Sequence, residues 1–450
     1  MDTVKIDISP LAESLLLHGV VVLGFVLGLL LVVQLLREPR TPSSTLAWLM
    51  VILFLPYVGV PFYLIFGGRK LRKRVAGKRL SEESPQEIDG LFKCRVDSSR
   101  VIADGVAAYE TIQQMLAGAT RSIRIATFIL KDDVTGRAIL DVLTEKAHQG
   151  VRVQLLLDAM GCFRLSAARL RPLREAGGEV AFFMPMLHLP WSGRANLRNH
   201  RKVLLVDGQR AVIGGMNIAE EYMGPGPRAD RWRDLAQALE GPVVGALEAI
   251  FAADWAFARD ETPSIEWQSC VSPANALLIA SGPDVPGDTL YDHYIQKVFQ
   301  VRERIWFATP YFVPDEMVTR ALGIAARRGC DVRLVMPARS DHPLADWARA
   351  TWLNELVAYG VKVLLYEPGM LHAKAALFDS EECALGSANL DMRSLFLNFE
   401  LALVQNVPQA VVETERWFVG LFPDCRPFRP QSGVLRETVQ GLARLLSPLL

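Results

Sequence analysis

The chain has 450 residues, half of them apolar, and its 49 basic and 49 acidic side chains leave no net charge. A neutral total argues against a strongly basic nucleic-acid binder, and the length suffices for two or three domains or one bilobed unit with a well-buried core. Six scattered cysteines, Cys94, Cys162, Cys270, Cys330, Cys383 and Cys425, form no C-x-x-C pair and no Cys/His cluster at zinc spacing. They read as reduced, mostly buried thiols, and nothing in the chain implies a metal or another cofactor.

The first element is an apolar run over about 15–36, long enough for a helix across roughly 30 Å of hydrocarbon. A second run over about 46–66 follows, with Trp48, Tyr57 and Tyr63 as interface residues and with Pro56 and Pro61 predicting a kink or a partly re-entrant segment. Neither a basic leader nor a small-residue cleavage site precedes them, so a membrane hairpin over 1–68 is expected rather than a signal peptide. Arg69, Lys70, Arg72, Lys73, Arg74, Lys78 and Arg79 crowd behind the second run, which puts the rest of the chain on the cytoplasmic side. The same basic run has two readings, a plain topology signal or an attraction for anionic lipid. Residues 69–97 are expected as a basic and polar linker.

Beyond the linker the chain repeats itself. Ile123-Arg-Ile-Ala-Thr-Phe-Ile returns as Ile305-Trp-Phe-Ala-Thr-Pro-Tyr, Val151-Arg-Val-Gln-Leu-Leu-Leu as Asp331-Val-Arg-Leu-Val-Met, and Val180-Ala-Phe-Phe as Val361-Lys-Val-Leu-Leu-Tyr, with helical stretches between. Such alternation predicts an α/β fold of two tandem repeats in one bilobed catalytic unit, each with a mixed or largely parallel sheet. The expected boundaries are 98–265 and 266–430, with a C-terminal amphipathic helix over 431–450. The first copy carries about ten extra residues within 184–199, an apolar loop that either contacts lipid, covers the site or packs as a folded insert.

Each copy closes on the same signature. His200-x-Lys202 is followed by Asp207, Gly214 and Asn217, and His372-x-Lys374 by Asp379, Gly386 and Asn389, at identical internal spacing. Two apart in an apolar run read as a strand, each His and Lys project from one face and can meet one phosphate. One imidazole can attack phosphorus while the other serves as general acid and then general base, with the lysines neutralising non-bridging oxygens. Asn217 and Asn389 are placed to complete a phosphate cradle. Asp207 and Asp379 belong to the catalytic signature, although Asp207-Gly208 between apolar runs is also an ordinary hairpin turn, and a structural role is the favoured one. Asp234 and Glu400, downstream of each motif, are expected to orient the histidines.

These motifs resemble the phospholipase D superfamily, and the two N-terminal spans together with Gly214-Gly-Met-Asn-Ile-Ala-Glu-Glu-Tyr, Thr309-Pro-Tyr-Phe-Val-Pro-Asp, Leu371-His-Ala-Lys and Gly386-Ser-Ala-Asn-Leu-Asp-Met-Arg-Ser resemble its bacterial cardiolipin synthase branch. The resemblance implies metal-independent transfer of a phosphatidyl group from one phosphatidylglycerol to the glycerol hydroxyl of another at a bacterial inner membrane. It implies phosphatidylglycerol and anionic membrane lipid as partners, His200 as nucleophile, and His372 as acid and base, while the membrane spans and the lack of an evident basic channel argue against a nucleic-acid partner. A phospholipase D-type hydrolase, a phosphatidyltransferase with a phosphatidylethanolamine donor, or a non-catalytic membrane scaffold are the alternatives. Gly215 departs from the pattern, since the second motif has Ser387 there.

Overall fold

A computed structural model describes residues 10–37, 42–66, 90–184, 197–261, 273–285 and 287–430. The linker at 69–89, the loop at 185–196 and the C-terminal segment at 431–450 lie outside them, and with them most of the linker, loop and terminal-helix expectations. The chain divides into two compact units, one holding the N-terminal helices and the other both repeats.

In the N-terminal unit, α1 (Pro10–Arg37) is followed by α2 (Pro42–Phe54) and α3 (Pro56–Phe66). The second apolar run is therefore two helices broken at Leu55, where Pro56 has no N–H to continue the ladder. Leu31, Leu35, Trp48, Ile52, Val60 and Tyr63 pack together, with the Trp48 and Tyr63 rings edge to face at 5.2 Å. Among the described residues no helix is long and apolar enough to cross a membrane.

The second unit opens with β1 (Leu91–Cys94), β2 (Ser98–Ile102) and α4 (Gly105–Ala117). The first repeat continues through β3 (Ser122–Thr127), α5 (Val134–His148), β4 (Arg152–Asp158), α6 (Ala167–Glu175) and β5 (Glu179–Phe183). It closes with β6 (Val203–Val206), β7 (Arg210–Gly214), β8 (Ala236–Glu240) and α7 (Val243–Arg259). The second repeat follows the same plan from β9 (Ala276–Ser281) through α8 (Thr289–Gln300), β10 (Arg304–Ala308), β11 (Phe312–Val313), α9 (Glu316–Arg327) and β12 (Asp331–Pro337). Then come α10 (Pro343–Ala358), β13 (Lys362–Tyr366), β14 (Ala375–Phe378), β15 (Glu382–Gly386), β16 (Leu390–Asp391) and α11 (Met392–Phe396). Last are β17 (Glu400–Gln405), α12 (Pro408–Leu421) and β18 (Cys425–Pro427).

Two mixed sheets result, in the orders β2-β8-β7-β6-β3-β4-β5 and β1-β9-β17-β15-β14-β10-β12-β13-β18. In each, three parallel strands are joined by crossover helices, and an antiparallel set carries the signature motif. β1 falls within 69–97, the stretch expected as a linker, yet its backbone pairs with β9, so the end of that stretch is a strand of the second sheet that ties the two repeats together.

Helix α7 is the keystone of the packing. Val244, Leu247, Ile250 and Phe251 from α7 share one apolar cluster with Val203, Leu205 and Ile213 of the first sheet and Leu278, Leu401 and Leu403 of the second. Buried leucines of this kind lose about 2–5 kcal/mol when cut to alanine, so α7 couples the stability of the two repeats. Cys94, Cys162, Cys330 and Cys383 are buried free thiols, and Cys425 is partly buried.

Candidate active site

Both His-x-Lys segments lie in extended chain immediately before a strand, not within one as the apolar run suggests: β6 begins at Val203 and β14 at Ala375. What fixes them is pairing with the opposite repeat. The His200 N–H donates to the Phe399 carbonyl at 2.9 Å, and the His372 N–H donates to the Arg233 carbonyl at 2.7 Å. In both cases the accepting residue directly precedes an acid. Glu400 thus comes beside His200, and Asp234 beside His372, each acid crossing to the histidine of the other copy.

The Glu400 carboxylate lies 3.0 Å from His200 Nδ1, and the Asp234 carboxylate 2.7 Å from His372 Nδ1. An ionised carboxylate only accepts, so Nδ1 of each ring carries the proton and Nε2 is left with its lone pair. Burial raises both acids, but His200 and Lys202 outweigh it at Glu400, and His372 and Lys374 outweigh it at Asp234, so both stay below their usual range. Burial depresses both imidazoles, His372 to about 4, with Lys374 adding to the effect. It also pulls Lys202 down to about 7 and Lys374 to about 8. Each lysine acts electrostatically on the other repeat's histidine, so the two halves form one site.

The halves are not equal. Lys202 donates to the His200 carbonyl at 2.6 Å, and Lys374 likewise hydrogen-bonds the His372 carbonyl. Lys374 Nζ also lies 2.8 and 3.0 Å from the two nitrogens of His372. The His200 ring is 13% exposed and that of His372 5%, so His200 is the more accessible base. Phe128 meets His200 edge on at 4.8 Å, while Tyr222 and Trp232 flank His372 at 5.0 and 5.4 Å.

The Gly215 and Ser387 difference has a steric cause. Ser387 Oγ donates to Glu400 at 2.5 Å and accepts from the Leu401 N–H at 3.0 Å. At Gly215 a Cβ would collide with Asp234 Oδ1. The shorter acid fills the space that the serine occupies in the other half, and only glycine leaves room for it.

Asn217 accepts from the Ile129 N–H at 3.1 Å and hydrogen-bonds the Tyr222 hydroxyl. Asn389 donates to Asp391 at 3.0 Å. A helix start follows only the second motif, where Asp391 caps α11, so helix-end N–H groups could join a phosphate cradle beside Asn389 and not beside Asn217. Asp207 and Asp379 sit elsewhere. Asp207 follows the far end of β6 from His200 and accepts the N–H groups of Thr120, Arg121 and Ser122. Asp379 accepts those of Arg302, Glu303 and Arg304 in the same way. Both adopt a left-handed backbone in their turns.

One participant was not legible in the motif. Arg201, between His200 and Lys202, is fully buried, pairs with Asp254 at 2.7 Å and donates to the Glu400 carbonyl at 3.1 Å. The second copy has Ala373 there, so the repeat gives no signal for it.

Two His/Lys pairs, each oriented by an acid from the opposite repeat, define a two-histidine phosphodiester-transfer enzyme. The family model described as cardiolipin synthase, PLD-like domain, matches residues 112–255 and 294–422, and one described as phospholipase D-nuclease N-terminal matches 26–68. The chain is 33% identical to cardiolipin synthase A of Pseudomonas putida over 95% of this chain and 98% of the relative. It is 34% identical to cardiolipin synthase of Halalkalibacterium halodurans over 92% and 90%. The chain belongs to the cardiolipin synthase family of phospholipase D-like enzymes and is a phosphatidyltransferase. The solved phosphatidylserine synthase of Haemophilus influenzae shares the fold, with a TM-score of 0.63 at 14% identity over 81% of this chain and 98% of that one.

Proposed function

We propose that the enzyme transfers a phosphatidyl group between two phosphatidylglycerol molecules, giving cardiolipin and glycerol. The crossed acid–histidine pairing carries this reading, because it presents two Nε2 lone pairs to one phosphate. His200 Nε2 attacks phosphorus and forms the phosphohistidine, while His372, protonated in the complex, gives its proton to the departing glycerol oxygen. Neutral His372 then takes the proton from the glycerol hydroxyl of the second lipid, whose oxygen displaces His200 from phosphorus. Greater exposure and an Nε2 clear of its own lysine support His200 as the nucleophile.

Solvent supplies the proton, and the charges of the site decide when it is taken up. Lys202 and Lys374 cancel Asp234 and Glu400, so the resting rings are neutral, and an arriving phosphodiester anion favours protonating one of them. Both lysines neutralise the non-bridging oxygens, and Asn217, Asn389 and Ser387 hold the surrounding frame. Asp207 and Asp379 pin hairpins and take no part in the chemistry.

Residues 1–68 form the membrane anchor in this proposal, and the repeats span 98–265 and 266–430. Exposed Phe25, Leu29, Leu30, Leu36, Leu53 and Phe54 support anchoring of the helices in lipid. The charge asymmetry around 37–79 supports a cytoplasmic catalytic unit at a bacterial inner membrane.

The test is to supply phosphatidylglycerol vesicles to the full chain in chelator and follow cardiolipin and glycerol beside a His372→Ala control. Equal amounts of both products, lost in the variant, are expected. Phosphatidic acid in place of cardiolipin would make water the acceptor and the enzyme a hydrolase. Turnover only with phosphatidylethanolamine would change the donor.

A further inference from the structure

Away from the histidines, a groove of about 520 Å³ runs between α10 and the edge strand β18 over a floor that includes Leu365. It opens beside α10, which follows the carboxyl end of β12. Parallel β10 and β12 put that end on the same sheet edge as Lys374. Three strand spacings, roughly 14 Å, separate β13 under the groove from the strand that follows Lys374.

The lining is basic and aromatic. Arg339, Arg349, Arg426 and Arg429 face a single acid, Asp346, and Trp347 on the α10 wall is 60% exposed. Arg349 is spent on structure, pairing with Asp346 at 3.1 Å and donating to the Pro337 and Ala338 carbonyls. Arg426 pairs with Glu367 at 2.9 Å, but both are about half exposed, and such pairs are worth little. Arg339 and Arg429 have no carboxylate partner among the described residues. Two unspent guanidiniums beside an exposed indole and the half-buried Phe428 therefore need an anion with apolar substance attached. A guanidinium forks two N–H bonds onto a phosphate, and an indole suits the boundary between headgroup and acyl chain.

We propose that this groove is a second lipid site, which holds the phosphodiester headgroup of an anionic phospholipid on Arg339, Arg426 and Arg429, with its glycerol and first acyl carbons against Trp347 and Phe428. It lacks the histidines, so its occupant is held beside the reaction cleft and is not itself cleaved. The proposal rests on the lipid-substrate reading above. Its role is to keep this edge of the catalytic unit on an anionic lipid surface.

The test uses the full chain with phosphatidylcholine vesicles doped with a phosphatidylglycerol that carries a photoreactive group near its headgroup, followed by mapping of the labelled peptides. Labelling between Arg339 and Leu353 and between Arg426 and Arg429 is expected. It should fall about tenfold in the Arg339→Gln/Arg429→Gln double variant, as loss of charge-assisted hydrogen bonds dictates. An unchanged melting temperature establishes that the variant is folded, and Trp347→Ala alone gives a second reading. Equal labelling by a photoreactive phosphatidylcholine, no labelling there, or labelling unaffected by either variant would overturn the site. Abolition by inorganic phosphate at the concentration of the lipid would reassign it to free phosphate. Cardiolipin formation by the wild type in the same vesicles separates the two proposals. Product without groove labelling sinks only the groove, whereas no product with any lipid sinks the reaction.

Discussion

Glu400 lies 3.0 Å from His200 Nδ1 although 200 residues separate them in the chain, and Asp234 stands in the same relation to His372. Neither repeat holds a complete catalytic half. The carboxylate paired with each histidine belongs to the other copy, so each acid–histidine pair needs both repeats.

Replacing Glu400 by Gln keeps the shape but permits the wrong His200 tautomer. A triad histidine loses about 10⁴-fold in kcat when its acid becomes an amide, and a drop of about 10²- to 10⁴-fold is expected here for Glu400→Gln and Asp234→Asn. The two should differ in acid-quenched protein. Glu400→Gln suppresses the phosphatidyl adduct itself, whereas Asp234→Asn slows both the acid and the base step at His372, and whatever adduct forms is found on His200. An adduct mapped to His372 would reverse the assignment of roles.

Gly215→Ser puts a side chain where Asp234 Oδ1 already sits. Overpacking of this kind costs about 1–3 kcal/mol, and here it also pushes the acid off His372. Activity and melting temperature should both fall. The reverse change, Ser387→Gly, removes the hydroxyl that bridges Glu400 and the Leu401 N–H and should cost about 1–3 kcal/mol, but it introduces no clash and leaves Asp234 on His372. Equal effects of the two substitutions on the Asp234–His372 pair would contradict the steric account.

Burial brings Lys202 to about 7 and Lys374 to about 8, far below an exposed lysine. The sign follows directly: the charged, phosphate-binding forms predominate below these values and are lost above them. kcat/KM, which reports the free enzyme, should therefore decline as pH rises through about 7 to 8. The alkaline limb of kcat should lie higher, because bound phosphodiester favours charged lysine. A profile that stays flat up to the ordinary lysine range would show that these side chains are not required as cations.

At Asp207 burial raises the carboxyl, but the N–H groups of Ser122, Arg121 and Thr120 outweigh it and bring the value to about 2. A depressed folded value means that its stabilisation is present above the ordinary carboxylate range and is lost as pH falls towards about 2. At neutral pH, Asp207→Ala should cost about 1 kcal/mol, seen as a lower denaturant midpoint, with kcat per folded molecule retained. Loss of kcat in a fully folded variant would return Asp207 to the catalytic set.

The strands of both repeats were legible because β-branched and apolar runs alternate with amphipathic stretches, a local property of the chain. Both histidines and lysines were legible because duplication at identical spacing is a one-dimensional signal. Asp234 and Glu400 could be picked out as downstream acids, yet nothing linear said which histidine each would serve. Arg201 was hidden for a related reason, since its partners Asp254, Ser281 and the Glu400 carbonyl come from three distant segments.

By itself, then, the sequence determined the two repeats, the paired signature and the class of chemistry, because these depend on residue type, period and spacing. Tertiary structure alone decided that the acids cross, that Gly215 makes room for Asp234, and that Asp207 and Asp379 anchor turns. The physical reason is that backbone pairing of His200 with Phe399 and of His372 with Arg233 joins segments of different repeats. Such contacts depend on how two sheets pack around α7, and no local pattern in the chain records that packing.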